Sequence, residues 1–182
     1  IRISAGLDHA PRGSDVSLYA MYVGGLALYS LVWFGIGEQF LWRGHEWFSK
    51  HVLGIASQIG SAGAYLFVEQ ILARPGADRR FSRIMRGGAA LCILAALLWA
   101  LELVDQRALM MFTMTVGAAP MFIGLPGAWR RMRAGDEIGL YFLFSWFFSF
   151  GGAAVQGMLA LGVLPANFWT LHSLQLGVTI DM

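Results

Sequence analysis

Charged residues are scarce in this chain. Asp, Glu, Lys and Arg make up 13% of the 182 residues, whereas 57% are hydrophobic and the mean hydropathy is +0.60. Soluble domains carry about 25% charged residues, so the composition excludes an ordinary water-soluble fold and indicates a protein embedded in lipid. The net charge of +2 comes from arginines that gather in short links between apolar runs, which argues against a nucleic-acid-binding surface.

Cysteine and catalytic motifs are equally sparse. The single cysteine, Cys92, stands in the middle of an apolar run, which excludes a disulfide framework and a CxxC metal or redox motif. The chain has no GxSxG sequence, no P-loop and no complete dinucleotide fingerprint. We therefore predict neither an enzyme nor a cofactor site.

The segment GHEWFSKH comes nearest to a metal-binding motif. A zinc-protease helix carries two histidines four residues apart on one face, beside a Glu base. Here Glu46 lies between His45 and His51, but the two histidines are six positions apart and would not share a helical face. We therefore predict an interfacial loop anchored by aromatic side chains such as Trp47 and Phe48.

Long apolar runs fill most of the chain. A helix that crosses a bilayer needs about 20 mostly apolar residues, because hydrocarbon offers no partners for backbone N–H and C=O groups. Six runs meet or approach this length, and we predict helices over residues 17–36, 51–73, 84–103, 108–129, 138–164 and 167–182. The predicted fold class is all-α, a polytopic transmembrane helical bundle.

Two of the runs have special features. Pro120 and Pro126 interrupt the fourth run and predict a kink rather than an end, and Asn167 is a predicted N-cap of the sixth run. The sixth run is too short to cross a bilayer, so we expect it to continue beyond Met182. Residues 1–16 are expected to be a cytoplasmic link from a preceding helix, which would bring the complete domain to seven helices.

Arginine-rich links alternate with links that are poor in positive charge. The rich links follow the second and fourth runs and are predicted to be cytoplasmic, which also places the C-terminal end in the cytoplasm. The arginines are Arg74, Arg79, Arg80, Arg83 and Arg86 in the first of these links and Arg130, Arg131 and Arg133 in the second.

Polar residues within the apolar runs are candidates for a functional role, because charged groups in hydrocarbon cost several kcal/mol, about 2.5 to 3.5 at a helix centre. The candidates for an intramembrane polar relay or for packing are Gln58, Glu69, Gln156, His172, Gln175 and Asp181. For Glu69 we favour an ion pair with the arginine-rich link over a signalling or proton role. Gln58 and Gln156 are predicted to form hydrogen bonds between helices. Asp181 lies off the face that carries the last two polar residues before it, which argues against a continuous proton wire.

Small residues recur at helical spacing in two of the runs. They allow a close approach of a neighbouring helix, either within the bundle, which we favour, or in a homodimer. The residues are Ala56, Gly60 and Ala64 in the second run and Gly151, Gly152 and Gly157 in the fifth.

Several blocks together resemble the membrane domain of bacterial seven-transmembrane receptors with diverse intracellular signalling modules. The segment SLYAMYVGGLALYSLVWFGIGEQFLW is similar to the second helix of that family and the outer loop after it, with Gly35, Gly37 and Trp42 in the turn. YLFVEQIL resembles the end of its third helix, with Phe67 and Leu72 at matching positions.

The longest similar block is YFLFSWFFSFGGAAVQGMLALGVLPANFWTLHSLQLGVTIDM. It resembles the sixth helix of the family with an early Trp, a Gly-Xaa-Leu-Pro-Xaa-Asn turn and the opening of the seventh helix; the matching residues are Trp146, Gly162, Leu164, Pro165 and Asn167. The family usually has Glu where this chain has Asp181. The resemblance covers roughly residues 17–182, the second to the seventh helix.

The resemblance implies a sensor in the bacterial inner membrane. An extracytoplasmic ligand-binding domain would pass a signal through the helices to a cytoplasmic effector, such as a diguanylate cyclase or a histidine kinase. From another class, the alternative is a small-substrate transporter or ion pathway, which needs polar groups lining a route. The chain has few intramembrane polar residues with which to line such a route, which argues against this alternative.

Overall fold

The computed structural model describes residues 13–73, 78–160 and 162–181, and every regular element in these ranges is helical. The predicted all-α fold class is confirmed. The elements are α1 Gly13–Trp33, α2 Ile36–Phe40, α3 Glu46–Leu72, α4 Arg79–Ala100, α5 Gln106–Phe112, the π segment Thr113–Gly117, α6 Ala119–Arg133, α7 Glu137–Ala160, α8 Phe168–Leu171 and α9 Ser173–Asp181.

Four helical stretches are long and apolar enough to cross a membrane. They are Glu46–Leu72, Arg79–Ala100, Gln106–Arg133 and Gly139–Leu159, and a shorter apolar stretch covers Ala20–Trp33. Large apolar side chains such as Phe147 and Leu97 are more than half exposed. Such exposure is costly in water but suits a surface that faces lipid.

Helix ends differ from the predicted runs mainly where polar residues extend them. α1 begins at Gly13, inside the predicted link over residues 1–16, whose first twelve residues lie outside the described ranges. α3 begins at Glu46 and α4 at Arg79, five residues before the predicted starts. Arg and Glu have good helix propensity, so a helix can extend beyond the end of its apolar run and out of the hydrocarbon region.

The predicted interfacial loop around His51 is therefore wrong in part. Trp47, Phe48 and His51 lie within the first turns of α3, and His45 is its N-cap residue. The aromatic side chains still gather there: Trp47 stacks on His51 with ring centroids 4.8 Å apart.

The fourth run is one helical stretch with an irregular centre. α5 passes into the π segment and then into α6, and Pro126 lies inside α6. Pro120 has no N–H to donate, so the ladder upstream of it is disturbed. As predicted, the stretch does not end at the prolines, and its irregular part is this π segment, in which the Ala118 N–H bonds to the Thr113 carbonyl at 3.1 Å.

The sixth run is not one continuous helix. Asn167 caps α8 as predicted, in a reciprocal capping box with Thr170. The chain then bends at His172 before α9 begins. At this bend the Ser173 hydroxyl donates to the Thr170 carbonyl at 3.0 Å and to Gly152 O at 3.1 Å,, so a side chain competes with the regular helix ladder.

Contacts divide the chain into two compact units, one up to Pro120 and one from Met121. In the first, α3 packs against α1, α4 and the π segment, and in the second α7 packs against α9. The core of the first unit contains small and medium side chains that are fully buried, including Ala56, Ala62, Met85 and Cys92.

Two glycine contacts bring α1 and α3 close together. A Cβ on Gly25 would lie 2.6 Å from the Gly60 Cα, and a Cβ on Gly63 would lie 2.8 Å from the Tyr22 backbone nitrogen. Ala56, also on this face, is completely buried. Ala56 and Gly60 of the predicted small-residue face therefore pack within the first unit. In the fifth run, a Cβ on Gly151 or Gly157 would meet no atom of the described residues within 4 Å, so their predicted close contact is absent there.

The turn after α1 depends on two glycines and a tryptophan. Gly35 has φ +71°, which a residue with a Cβ rarely adopts. The Trp42 ring lies against Gly37 and leaves no room for a side chain there. The resemblance of this turn to the receptor family depends on these same three residues. Their identities have steric causes, namely the positive φ of Gly35 and the contact between Gly37 and the Trp42 ring.

Candidate functional site

A row of buried polar side chains runs along α3. His51, Gln58 and Tyr65 are spaced seven residues apart and have 1%, 0% and 2% relative exposure. Seven residues are nearly two helical turns, so the three lie on one face, and Glu69 follows one turn after the last. We call these four residues the polar stripe of α3.

The middle of the polar stripe contacts the π segment through two hydrogen bonds. The Gln58 Nε2 donates to Thr113 Oγ1 at 2.6 Å, and the Tyr65 hydroxyl donates to the Val116 carbonyl at 2.6 Å. In a regular α-helix the Val116 carbonyl would accept from residue 120, which here is proline and has no N–H. Tyr65 therefore donates to a carbonyl that has lost its regular helical donor, and the Ala118 N–H is a second donor to it.

Tyr65 is held between α4 and the π segment. Its ring lies directly against Gly88, where a Cβ would overlap the ring. Cys92 is fully buried one turn further along α4. The glycine at position 88 therefore has a packing role, because it lets the tyrosine ring pass α4 and reach the π segment.

Gln58 keeps one unused hydrogen-bonding atom. Its Oε1 is buried and has no hydrogen-bond partner among the described residues. The Thr113 hydroxyl that accepts from Gln58 donates in turn to the Leu109 carbonyl at 2.8 Å. A buried acceptor without a partner costs about 1–3 kcal/mol.

At the C-terminal end of α3, Glu69 binds an arginine and a serine of α4. Arg86 Nε donates to both carboxylate oxygens at 2.9 and 3.1 Å, and the Ser82 hydroxyl donates to Oε1 at 2.6 Å,. The Glu69 side chain is 10% exposed and the Arg86 side chain 73%. Arg86 lies in α4, as do Arg79, Arg80 and Arg83 of the predicted link.

At the other end of α3, His51 lies in an aromatic and charged cluster. The Trp99 indole donates to the His51 carbonyl at 3.1 Å, and the His51 Nδ1 contacts the Trp47 carbonyl at 2.8 Å. The His51 Nε2 lies 3.4 Å from Glu102 Oε1 without a hydrogen bond. Glu102 also accepts from Lys50 Nζ at 2.8 Å.

Glu102 lies outside the membrane-spanning stretches, between α4 and α5. The hydrogen bond and the charge of Lys50 lower the pKa of its carboxyl below the ordinary value. Its backbone has φ +59°, in the left-handed region that non-glycine residues rarely occupy. Glu102, which accepts the hydrogen bond from Lys50, is thus held in a strained backbone conformation.

In the second unit, Gln156 is buried in α7. Neither polar atom of its amide has a hydrogen-bond partner among the described residues, so the interhelical hydrogen bond predicted for it is not formed there. α7 and α9 meet closely, since a Cβ on Gly177 would lie 2.6 Å from the Phe148 carbonyl oxygen.

The last three candidate residues do not form one site. The His172 ring stacks on Phe168, with its Nδ1 2.8 Å from the Phe168 carbonyl. Gln175 lies in α9, beyond the bend at His172. Asp181 ends α9, and its side chain lies outside what the structure describes.

Of the six candidates, Gln58 and Glu69 therefore share the polar stripe, whereas Gln156, His172 and Gln175 belong to the second unit. Sequence reasoning missed Tyr65 and Thr113, and considered His51 only as a metal ligand. The seven-residue repeat of His51, Gln58 and Tyr65 was visible in the sequence and was the signal that could have found the stripe.

The polar stripe has the chemistry of a set of reversible contacts rather than of a catalytic centre. It offers amide, hydroxyl and carboxylate groups bound to α4 and to the π segment, so a shift of any of these elements must break specific bonds. Among the residues that the structure describes, no three His, Cys, Asp or Glu side chains gather at a position that could hold a metal ion.

Comparison with protein families matches residues 12–182 to the family described as 7TM diverse intracellular signalling. Neither the curated proteins nor the solved structures contain a match to the chain. The matched residues include every described helix from α1 to α9. The chain is a multi-pass membrane protein and belongs to the 7TM diverse intracellular signalling family.

Proposed function

We propose that this membrane domain relays an extracytoplasmic binding event to a cytoplasmic effector, such as a diguanylate cyclase or a histidine kinase, by changing the contact between the polar stripe of α3 and the π segment. The observation that carries the proposal is the pair of 2.6 Å hydrogen bonds from Gln58 and Tyr65 to Thr113 and Val116. These bonds connect the central helix of the first unit to an irregular point of another membrane-spanning stretch.

A π segment supplies a movable element. It is equivalent to one residue inserted into an α-helix, and such segments are frequent at functional sites. When the insertion moves along the helix, each residue that it passes turns by about 100°. In such a step Thr113 and Val116 would turn away from Gln58 and Tyr65, so the two hydrogen bonds would report the position of the insertion.

The same contact has the properties of a two-state element. A relay requires two packings of similar free energy, which a ligand then biases by binding one of them better. The unpaired Oε1 of Gln58 disfavours the present packing, and an alternative position of the π segment could provide its missing donor. At Gly25 and Gly60 the backbones of α1 and α3 meet without an intervening side chain, so a change of packing at this point does not require a side chain to change rotamer.

The orientation of the domain is part of the proposal. The arginines at the start of α4 and at the end of α6 favour a cytoplasmic position for these two ends, with the C-terminal end of the chain also cytoplasmic. In this orientation the extracytoplasmic ligand-binding domain and the cytoplasmic effector are the partners of the membrane domain in the parent protein. The same orientation is compatible with a homodimer.

Orientation can be tested by cysteine labelling in membrane vesicles. In a Cys92→Ala background, Arg80→Cys and Arg131→Cys should react with a membrane-impermeant maleimide from the same side, and Gln106→Cys from the opposite side. Labelling of positions 80 and 131 from opposite sides would contradict the proposed arrangement.

The relay itself is tested by effector output of the complete protein in membrane vesicles. Gln58→Leu and Tyr65→Phe each remove one hydrogen bond to the π segment and should change the basal output of the effector. Tyr141→Phe is the matched control, because Tyr141 is 67% exposed on α7. Equal output from all three variants and the wild type, at equal protein level and thermal stability, would count against the relay.

The same vesicles test the transporter alternative. A proton or potassium flux that requires the protein and is abolished by Gln58→Leu would replace the relay with an ion pathway. Absence of flux together with altered effector output in the two variants supports the relay.

A further inference from the structure

We propose that the exposed face of α4 binds an anionic phospholipid, with the phosphate against Arg80 and Arg83 and an acyl chain along the apolar residues that follow. The proposal concerns a surface that the relay contact does not use, and it does not rest on the proposed function.

The arginines at the start of α4 differ in their partners. Arg86 is held by the Glu69 carboxylate. Arg79, Arg80 and Arg83 are exposed, and no salt bridge joins any of them to an acidic group of the described residues. Three guanidinium groups within five residues thus remain available to an anion. Arginine is well suited to a phosphate, since its planar fork can donate two hydrogen bonds to two oxygens at once.

Two of these arginines lie above an open apolar face. At 100° per residue, positions 80, 83, 84, 87, 91 and 94 fall within an arc of about 100° around the helix. Ile84, Leu91 and Leu94 on this arc are 55%, 50% and 50% exposed. Membrane orientation depends on how many arginines a link contains, and not on which face of the helix they occupy. Their position at the end of a continuous apolar row therefore requires another explanation.

Gly87 leaves a notch in the middle of that row. A Cβ at this position would meet no atom of the described residues within 4 Å, so the backbone there is open between Ile84 and Leu91. An acyl chain can lie against the helix at this point and contact the side chains on both sides of it.

The length of the face matches one leaflet. Leu94 lies eleven positions after Arg83, which is about 16 Å of helix, and half of a hydrocarbon core is about 15 Å. Arginines at one end and apolar side chains along the rest therefore correspond to the headgroup and acyl chain of one phospholipid. Free phosphate would use only the arginines, which is why the continuous face favours a lipid.

Lipid titration of the full chain, purified in a neutral detergent, tests the site. Binding of palmitoyl-oleoyl phosphatidylglycerol is measured by native mass spectrometry and compared with phosphatidylcholine of the same acyl chains. Arg80→Gln combined with Arg83→Gln should weaken phosphatidylglycerol binding about 30-fold, from the loss of two arginines at the usual interaction per basic residue with an anionic surface. Phosphatidylcholine binding should hardly change.

Two further variants separate this site from a general charge effect. Arg43→Gln combined with Arg107→Gln removes the same charge from two exposed arginines that lie outside α4 and should leave phosphatidylglycerol binding as in the wild type. Gly87→Gln keeps all charges but places a polar side chain in the notch, and should weaken binding about tenfold, the equivalent of about two methylene contacts.

Three results would overturn the proposal. They are equal binding of the two lipids, equal losses in the α4 pair and the control pair, and unchanged binding in Gly87→Gln. Inorganic phosphate distinguishes the two sources of the anion: if inorganic phosphate bound as tightly as phosphatidylglycerol, the apolar face would contribute nothing, and the lipid assignment would be wrong. A thermal melt of each variant within the range of the wild type excludes loss of the fold as the cause.

Discussion

Replacement of Gly25 by alanine should separate α1 from α3, whereas the same replacement at Gly24 should not. A Cβ on Gly25 would lie 2.6 Å from the Cα and 2.7 Å from the backbone nitrogen of Gly60. Carbon atoms at van der Waals contact are about 3.5–4.0 Å apart, so the helices must move by about 1 Å. The obstacle is backbone, which cannot turn aside as a side chain can.

The magnitude follows from comparison of the two neighbouring variants. An overpacked core site costs about 1–3 kcal/mol, and replacement of glycine by alanine in a helix gains about 0.5–1 kcal/mol. A Cβ on Gly24 would meet no atom of the described residues within 4 Å, so Gly24→Ala should have the gain without the cost. The difference between the two free energies of unfolding should therefore be about 1–3 kcal/mol.

The measurement is reversible unfolding in mixed micelles by titration with dodecyl sulfate, followed by tryptophan fluorescence. Gly60→Ala provides a second control, because a Cβ on Gly60 would lie 3.7 Å from the nearest atom of Gly25, an ordinary contact. If Gly24→Ala and Gly25→Ala had the same free energy of unfolding, or if Gly60→Ala were the least stable of the three, the close packing of α1 on α3 would be refuted.

Other predictions concern the polar contacts of the first unit. Tyr65→Phe should lower the free energy of unfolding by about 0.5–1.5 kcal/mol in the same assay, because it removes a buried hydrogen bond to a carbonyl of the π segment; no loss would mean that another donor replaces the hydroxyl. Glu69→Gln should destabilise by a similar amount, about 1–2 kcal/mol, and the double change with Arg86→Gln should cost less than the sum of the single changes; strict additivity would mean that the pair does not interact. Because Lys50 lowers the pKa of Glu102, this ion pair should stabilise the fold above the ordinary carboxyl pKa of about 4.3 and lose its effect as the pH falls through the lowered pKa. The melting temperature should therefore change less between pH 6 and pH 3.5 in Glu102→Gln than in the wild type. An equal change in both proteins would show that the carboxyl does not contribute.

The fold class was predictable because a bilayer leaves the chain few choices. Backbone groups in hydrocarbon must bond within helices, so apolar length alone predicted six membrane helices, and the second to fifth of them correspond to the four stretches that are long and apolar enough to span a membrane. Asn167 as an N-cap was also predictable, since capping depends on a side chain that reaches the backbone three residues away. Both inferences use only local information.

The starts of α3 and α4 were harder to predict, because hydropathy reports where the lipid ends and not where the helix ends. Residues such as Glu46 and Arg79 are polar and still helical. The bend at His172 was missed for a related reason: it involves a hydrogen bond from Ser173 to Gly152, 21 residues earlier in the chain. No local pattern contains that partner.

The candidate site shows the same division. Glu69 could be paired with an arginine from the sequence, because an isolated carboxylate near hydrocarbon requires a partner, and a group of arginines follows it along the chain. That the partner is Arg86, and that Ser82 shares the carboxylate, depends on the rotation of α4 against α3. The sequence contains the charges but not the angle between the helices.

The sequence by itself determined that this chain is helical, that it lies in a membrane and that it belongs to a signalling family, since composition, apolar length and the order of its motifs are properties of the chain in one dimension. The tertiary structure alone decided that Tyr65 donates to a carbonyl of the π segment, 51 residues away, and that Gly25 meets Gly60. The physical reason is that hydrogen bonds and steric contacts act over a few ångströms in space. Residues far apart in the chain become neighbours only after the helices have packed.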